Sequence, residues 1–204
     1  WFATRRSAVR SRVAPPGIIM INFDKIESTA ILTQPFEHLV CEQIFSDTSR
    51  LVEVYDHLST HPEWNKEDEY DMSLYRLPVE HPTTNKLQVQ VDEYNWRPLL
   101  KRMGVEYSKL VTSWQATKIS HPLGPHTDEP EITGVVAKIL IYLTPDIDCG
   151  TIVHNSDLTI SKVTSGKLGD VFIFKTSPLS FHSTNYDHID PDTRRVALVG
   201  CFHA

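Results

Sequence analysis

The chain has few cysteines, no long apolar run and no excess of positive charge. Cys41, Cys149 and Cys201 are scattered, and none forms a C-x-x-C pair. An odd count without paired spacing gives neither a disulfide framework nor a zinc knuckle, so each cysteine reads as a small buried hydrophobe. A reducing, cytoplasmic compartment is the simplest expectation. No apolar stretch approaches the roughly 18–20 residues that a membrane-spanning helix needs, so no membrane partner is expected. Lys and Arg number 20 against 26 Asp and Glu, a net charge of −6 with a pI near 5.9. Without a basic stripe interleaved with aromatics, that balance argues against nucleic acid as a partner. Internal repeats and low-complexity tracts are also missing.

What is present fits one soluble globular domain. A length of 204 residues carries a sizeable core, and 40% hydrophobic with 23% charged residues is ordinary. Residues 1–19 differ in texture, with Arg5, Arg6, Arg10 and Arg12 and no acid. Removing those arginines takes the net charge from −6 to −10. The breaker cluster Ala14-Pro15-Pro16-Gly17 follows, and then Met20 opens an amphipathic segment, Ile21-Asn22-Phe23. The expectation is that the natural protein starts at Met20 and that residues 1–19 are a non-native or disordered leader. Residues 20–204 then form a single domain.

Local patterns divide that domain in two. In residues 20–104, Phe36 to Cys41 reads as a short strand. Asp47 to Leu58 reads as a helix, capped by Ser46 or Asp47, with Leu51, Val54, Tyr55 and Leu58 on one face. The polar residues 61–71 read as loop. Tyr94 to Met103 reads as a helix interrupted by Pro98 and stopped by Gly104. From residue 105 the texture is β: strands are expected at 109–119, 135–143, 150–154, 158–163, 170–174, 181–186 and 195–202. Short strands at regular spacing indicate a sandwich or barrel. The fold class is therefore mainly β with flanking helices, a jelly roll of two four-stranded sheets with its core in residues 105–204.

The densest chemistry lies in Pro125-His126-Thr127-Asp128, read together with His182 and Arg194. His126 and Asp128 are two apart, so on extended backbone both side chains point to one side. With His182 from a distant strand they make two imidazoles and one carboxylate, the ligand set of non-haem Fe(II) oxygenases. Three such ligands leave three coordination positions open. The same tripeptide also reads as a polar turn beside proline, with Asp128 bonding nearby backbone.

These residues and their order resemble the Fe(II)- and 2-oxoglutarate-dependent dioxygenases, prolyl-hydroxylase-like and of bacterial or phage type, over residues 105–204. His126-Thr127-Asp128 resembles the first two iron ligands. Lys138 to Thr144 resembles the next strand, where such enzymes place a tyrosine against 2-oxoglutarate, here Tyr142. Gly169 to Phe174 resembles the strand before the distal histidine, here His182. Thr193 to Leu198 carries the co-substrate arginine. There are departures. Cys149-Gly150 stands where Gly-Gly is common, and Val196 stands where many members have serine. Arg194 and Arg195 leave opposite faces of a strand, so only one faces the interior. Alignment on Phe202 favours Arg194.

The resemblance implies a double-stranded β-helix core and a hydroxylase that uses Fe(II), 2-oxoglutarate and O2 and releases succinate and CO2. His126, Asp128 and His182 hold the metal. Arg194 forms a bidentate, charge-assisted pair with the far carboxylate of the co-substrate. Tyr142 adds a hydrogen bond, unless its hydroxyl is satisfied elsewhere as a buried strand aromatic. The substrate is a peptidyl or small-molecule compound, glycan precursors included. His121 reads as a loop histidine or a residue at the site mouth. His154, His188 and His203 have no ligand-spaced partner. Trp114 and Gln115 either face substrate or, for Trp114, pack in the core. The main alternative is a non-catalytic, cupin-like metal-binding or sensor module, which would need neither the arginine nor the tyrosine. Substrate choice is expected to reside in residues 61–90 and 144–150.

Overall fold

The computed structural model describes residues 20–60, 65–69, 72–77, 82–118, 124–128, 130–185 and 193–204. The expected leader at 1–19 lies outside them, as do His121 and His188. The elements in order are α1 (Phe23–Ser28), β1 (His38–Cys41), α2 (Ser49–Ser59), β2 (Asn65–Glu69), β3 (Met72–Leu77), α3 (Pro82–Glu93), α4 (Arg97–Arg102), β4 (Lys109–Lys118), α5 (Pro130–Thr133), β5 (Val135–Tyr142), β6 (Thr151–His154), β7 (Ile160–Val163), β8 (Val171–Lys175), β9 (His182–Thr184) and β10 (Arg194–His203).

Among the described residues, ten strands form two antiparallel sheets. The larger has seven strands in the order β1-β8-β5-β10-β4-β3-β2, and the smaller has three, β7-β6-β9. This corrects the expected four-plus-four arrangement. The larger sheet gains strands from the N-terminal half: β1 pairs with β8, and the β2–β3 hairpin pairs with β4. The expected loop at 61–71 therefore contains a strand, Asn-Lys-Glu-Asp-Glu. Its backbone pairing with β3 holds it, and a charged sequence suits a sheet edge.

Period-2 alternation decides which side chains the site receives. On β5, Ala137, Ile139 and Ile141 point to one face, and Lys138, Leu140 and Tyr142 to the other. The first set joins Leu39, Val171, Ile173, Val196 and Leu198 in the main core. Helices close that face with Ile26 of α1, Leu51 and Leu58 of α2, Val91 of α3, and Leu99 and Leu100 of α4. The second set joins a smaller cluster, in which Tyr142, Phe172 and Phe174 meet Val153 of the three-stranded sheet. That second face is the interior between the two sheets.

Helix ends follow local rules. Asn22 caps α1 by accepting from the Lys25 N–H at 3.0 Å. Asp47 accepts from the Ser49 N–H and hydroxyl just ahead of α2. Pro98 sits in the first turn of α4, where a missing N–H costs nothing, so it opens this helix instead of interrupting it. Gly104 then adopts φ +66°, which ends it.

Candidate metal centre

His126 and His182 face each other across an antiparallel bridge. The His126 N–H donates to the His182 carbonyl at 3.0 Å, and the His182 N–H returns to His126 at 2.9 Å. This reciprocal pairing sets the two rings side by side, with centroids 4.4 Å apart. Asp128, two residues on, comes back to the same side, and its Oδ2 lies 3.4 Å from His182 Nε2. One ligand atom from each of the three residues falls within 4.8 Å of the others.

The imidazole tautomers follow from the bonding. His126 Nδ1 lies 3.0 Å from the Gly124 carbonyl, and His182 Nδ1 lies 2.9 Å from the Ser180 carbonyl. A carbonyl only accepts, so each Nδ1 carries the proton and donates. In the neutral ring, each Nε2 then keeps a free lone pair. Burial is the main reason both rings stay neutral. It outweighs the attraction of Asp128 and pushes His182 down to about 4, and it lowers His126 as well. At Asp128 burial acts in the opposite sense, but the Lys138 ammonium with its hydrogen bond, joined by either imidazole once protonated in acid, overcomes it. The carboxyl is held below its usual value and stays ionised.

Asp128 is anchored on both sides. The Thr133 hydroxyl donates to its carbonyl at 2.9 Å, and Lys138 Nζ pairs with Oδ1 at 2.7 Å. Oδ2 is buried and has no hydrogen bond among the described residues. A buried anionic oxygen without a donor is costly unless a cation satisfies it. Two neutral Nε2 atoms and this oxygen converge, and that donor set fits a divalent transition metal.

The interior holds a second group of polar residues, beyond Leu140 on β5. The fully buried Tyr142 pairs through its hydroxyl with Thr151 Oγ1 at 2.7 Å. Arg195 is 7% exposed, its guanidinium lies 5.2 Å from the Tyr142 ring centre, and its Nε donates to the Cys149 carbonyl at 2.8 Å. The expectation that Arg194 is the inward-facing arginine is corrected here. Arg194 shares its face of β10 with Val196 and Leu198, and its Nη1 donates to the Ser59 carbonyl at the end of α2, at 3.0 Å. Parity explains the error. Phe202 lies on the helix-packed face, so an alignment anchored there selects the arginine of that face. The pairing of Ala197 with Tyr142 marks the interior register, and Arg195 belongs to it. Val196, at the expected serine position, is buried on the helix side.

Other candidates resolve simply. His154 is buried and bonded to Ser183 Oγ at 2.8 Å and to the Leu158 carbonyl at 3.2 Å. His203 is half-buried at the end of β10. Trp114 is fully buried in the main core. Gln115, its neighbour, lies on the interior face and donates to Ser113 at 3.2 Å. The sequence pattern assigns Lys138 and Thr151 to strands but gives neither a role in the site. Lys138 did leave a signal, as the single charge in the apolar run 135–143.

No family model matches the chain, and no curated protein matches it in sequence. Its fold matches solved structures over most of their length. One is a prolyl hydroxylase from Trichoplax adhaerens in complex with a hypoxia-inducible-factor peptide fragment (TM-score 0.61, 10% identity, 90% of this chain and 87% of that one). Another is a prolyl-4-hydroxylase from Pseudomonas putida (0.56, 10% identity, 76% and 85%). A third is an oxidoreductase of the 2OG-Fe(II) oxygenase family from Burkholderia pseudomallei (0.55, 15% identity, 81% and 84%). The chain thus shares the fold of prolyl hydroxylases and 2OG-Fe(II) oxygenases.

Proposed function

We propose that this protein is an Fe(II)- and 2-oxoglutarate-dependent dioxygenase whose two sheets form a double-stranded β-helix around the active site. The observation that carries the reading is the convergence of two Nε2 lone pairs and the orphaned Asp128 Oδ2, with both Nδ1 atoms tied to backbone. His126, Asp128 and His182 are the metal ligands in this reading. Iron bound there, with 2-oxoglutarate and O2, supplies the oxidation of a substrate C–H bond and the release of succinate and CO2.

The chain's own residues bind and orient. Arg195, not Arg194, is the partner for the far carboxylate of 2-oxoglutarate. Its planar donor fork suits a carboxylate, and burial strengthens the pair. Tyr142 adds its hydroxyl to the same end, held in place by Thr151. The aromatic cluster of Phe36, Phe172 and Phe174 keeps water from the interior, and Phe174 packs on the His182 ring at 4.7 Å between centres. A peptidyl or small-molecule substrate enters at the metal end. The peptide complex of the Trichoplax structure supports a peptidyl one.

Succinate formation tests the proposal. Protein loaded with Fe(II) under anaerobic conditions is given 2-oxoglutarate and O2. Wild type is expected to form succinate, and His126→Ala to form none while remaining folded. Equal yields from the two proteins would overturn the assignment.

A further inference from the structure

Lys138 is a charge on the interior face, where the fold itself calls for none. Its neighbours across the sheet are Phe174 on β8 and Cys201 on β10, and Leu140 follows it on the same face of its own strand. Placing an ammonium among such neighbours costs solvation that an aliphatic residue would not lose. Its Nζ spends a hydrogen bond on one atom, Asp128 Oδ1, at 2.7 Å, with the pair 23% and 13% exposed. The other oxygen, Oδ2, is left facing the two histidines.

We propose that Lys138 is a positioning residue that reserves Asp128 Oδ1 and so restricts Asp128 to one oxygen on the metal. The inference rests on the metal-centre reading above. A carboxylate can bind a metal through one oxygen or both. An octahedral ion with two histidines and a one-oxygen Asp128 keeps three open positions, enough for a two-atom chelate and O2. With a two-oxygen Asp128 it keeps two, and chelate and O2 can no longer both bind. The ammonium holds Oδ1 in a charge-assisted bond, which stops the carboxylate from rotating into the chelating pose. Lys138 thereby protects the co-substrate's coordination position without touching the co-substrate.

The test uses the whole protein, Co(II) as an inert spectroscopic metal, and 2-oxoglutarate, without O2. Visible absorption reports the Co(II) coordination, and calorimetry reports 2-oxoglutarate binding to the Co(II) protein. In Lys138→Met, Co(II) is expected to bind still, but with an altered visible band and with 2-oxoglutarate weakened about tenfold or more. Lys138→Arg, which keeps the charged donor, is expected to preserve both. If either readout in Lys138→Met stays within about twofold of wild type, or if Lys138→Arg falls with it, the inference fails. Wild type that takes up no Co(II) would overturn the metal centre itself. Wild type that binds both while Lys138→Met matches it overturns the role of Lys138 alone.

Discussion

Arg194 and Arg195 are chemically alike and adjacent, yet the pleat of β10 sends one to the end of α2 and the other to Tyr142. Arg195→Ala is expected to raise the 2-oxoglutarate requirement roughly thirtyfold, about 2 kcal/mol for a lost charge-assisted bond. Arg194→Ala is expected to leave it nearly unchanged and to cost some stability. Steady-state kinetics across 2-oxoglutarate concentrations separates them, and the reverse order would contradict the register argument. His38 offers a second test. It is 1% exposed, its Nδ1 bonds the Phe36 carbonyl at 2.8 Å, and its Nε2 has no hydrogen-bond partner among the described residues. Burial, aided by Lys162 and opposed by the Phe36 bond, lowers its pKa below 6.5 in the folded state. The unfolded chain then binds the proton more readily, so His38 removes stability as pH falls below 6.5. His38→Asn, which keeps a donor for Phe36, is expected to flatten part of that loss, as read from urea midpoints at neutral and mildly acidic pH. The same acid sensitivity in both proteins would contradict this. The convergence of His126, Asp128 and His182 was legible in the sequence because their types and order are specific. The choice between two arginines was not, since it depends on strand register.

Elements repeat the contrast. The apolar strands of the C-terminal half announce themselves because burial forces their composition, as in Val135–Tyr142 and Val171–Lys175. The β2–β3 hairpin does not, because edge pairing spends backbone hydrogen bonds and leaves Asn65–Glu69 polar. Helix α3 escaped notice for a related reason: it buries Leu87 and Val91, too sparse a stripe to stand out. The turn before β6 shows what a single glycine can fix. A Cβ on Gly150 would lie 1.9 Å from the Thr164 carbonyl oxygen, and one on Gly166 would lie 2.1 Å from the Gly150 nitrogen. The two loops touch through backbone, and the adjacent Cys149 carbonyl receives Arg195 Nε. Gly150→Ala is therefore expected to destabilise the protein by about 3 kcal/mol and to weaken 2-oxoglutarate binding along with it. Denaturant melts with a binding titration check both effects. A neutral substitution would show that the loops can part freely. Trp114→Ala, by contrast, is expected to cost about 3–5 kcal/mol as a core cavity, with substrate preference unchanged in the residual folded protein.

At the scale of the whole molecule, one sheet serves two cores. Its helix-packed face carries most of the buried hydrophobic side chains, and its other face carries Lys138, Tyr142 and Arg195. This division lets the stabilising side be apolar while the chemical side holds buried charge. A mainly β, antiparallel fold was readable from strand spacing, but the distribution of strands was not, because β1 to β3 join the large sheet from sequence far upstream. The account stands or falls on whether metal and 2-oxoglutarate meet at His126, Asp128 and His182. The most direct measurement is the visible spectrum of the anaerobic protein with Fe(II) and 2-oxoglutarate. A weak metal-to-ligand charge-transfer band is predicted in wild type and not in His182→Ala. Wild type without the band, under conditions where it binds iron, would contradict the account.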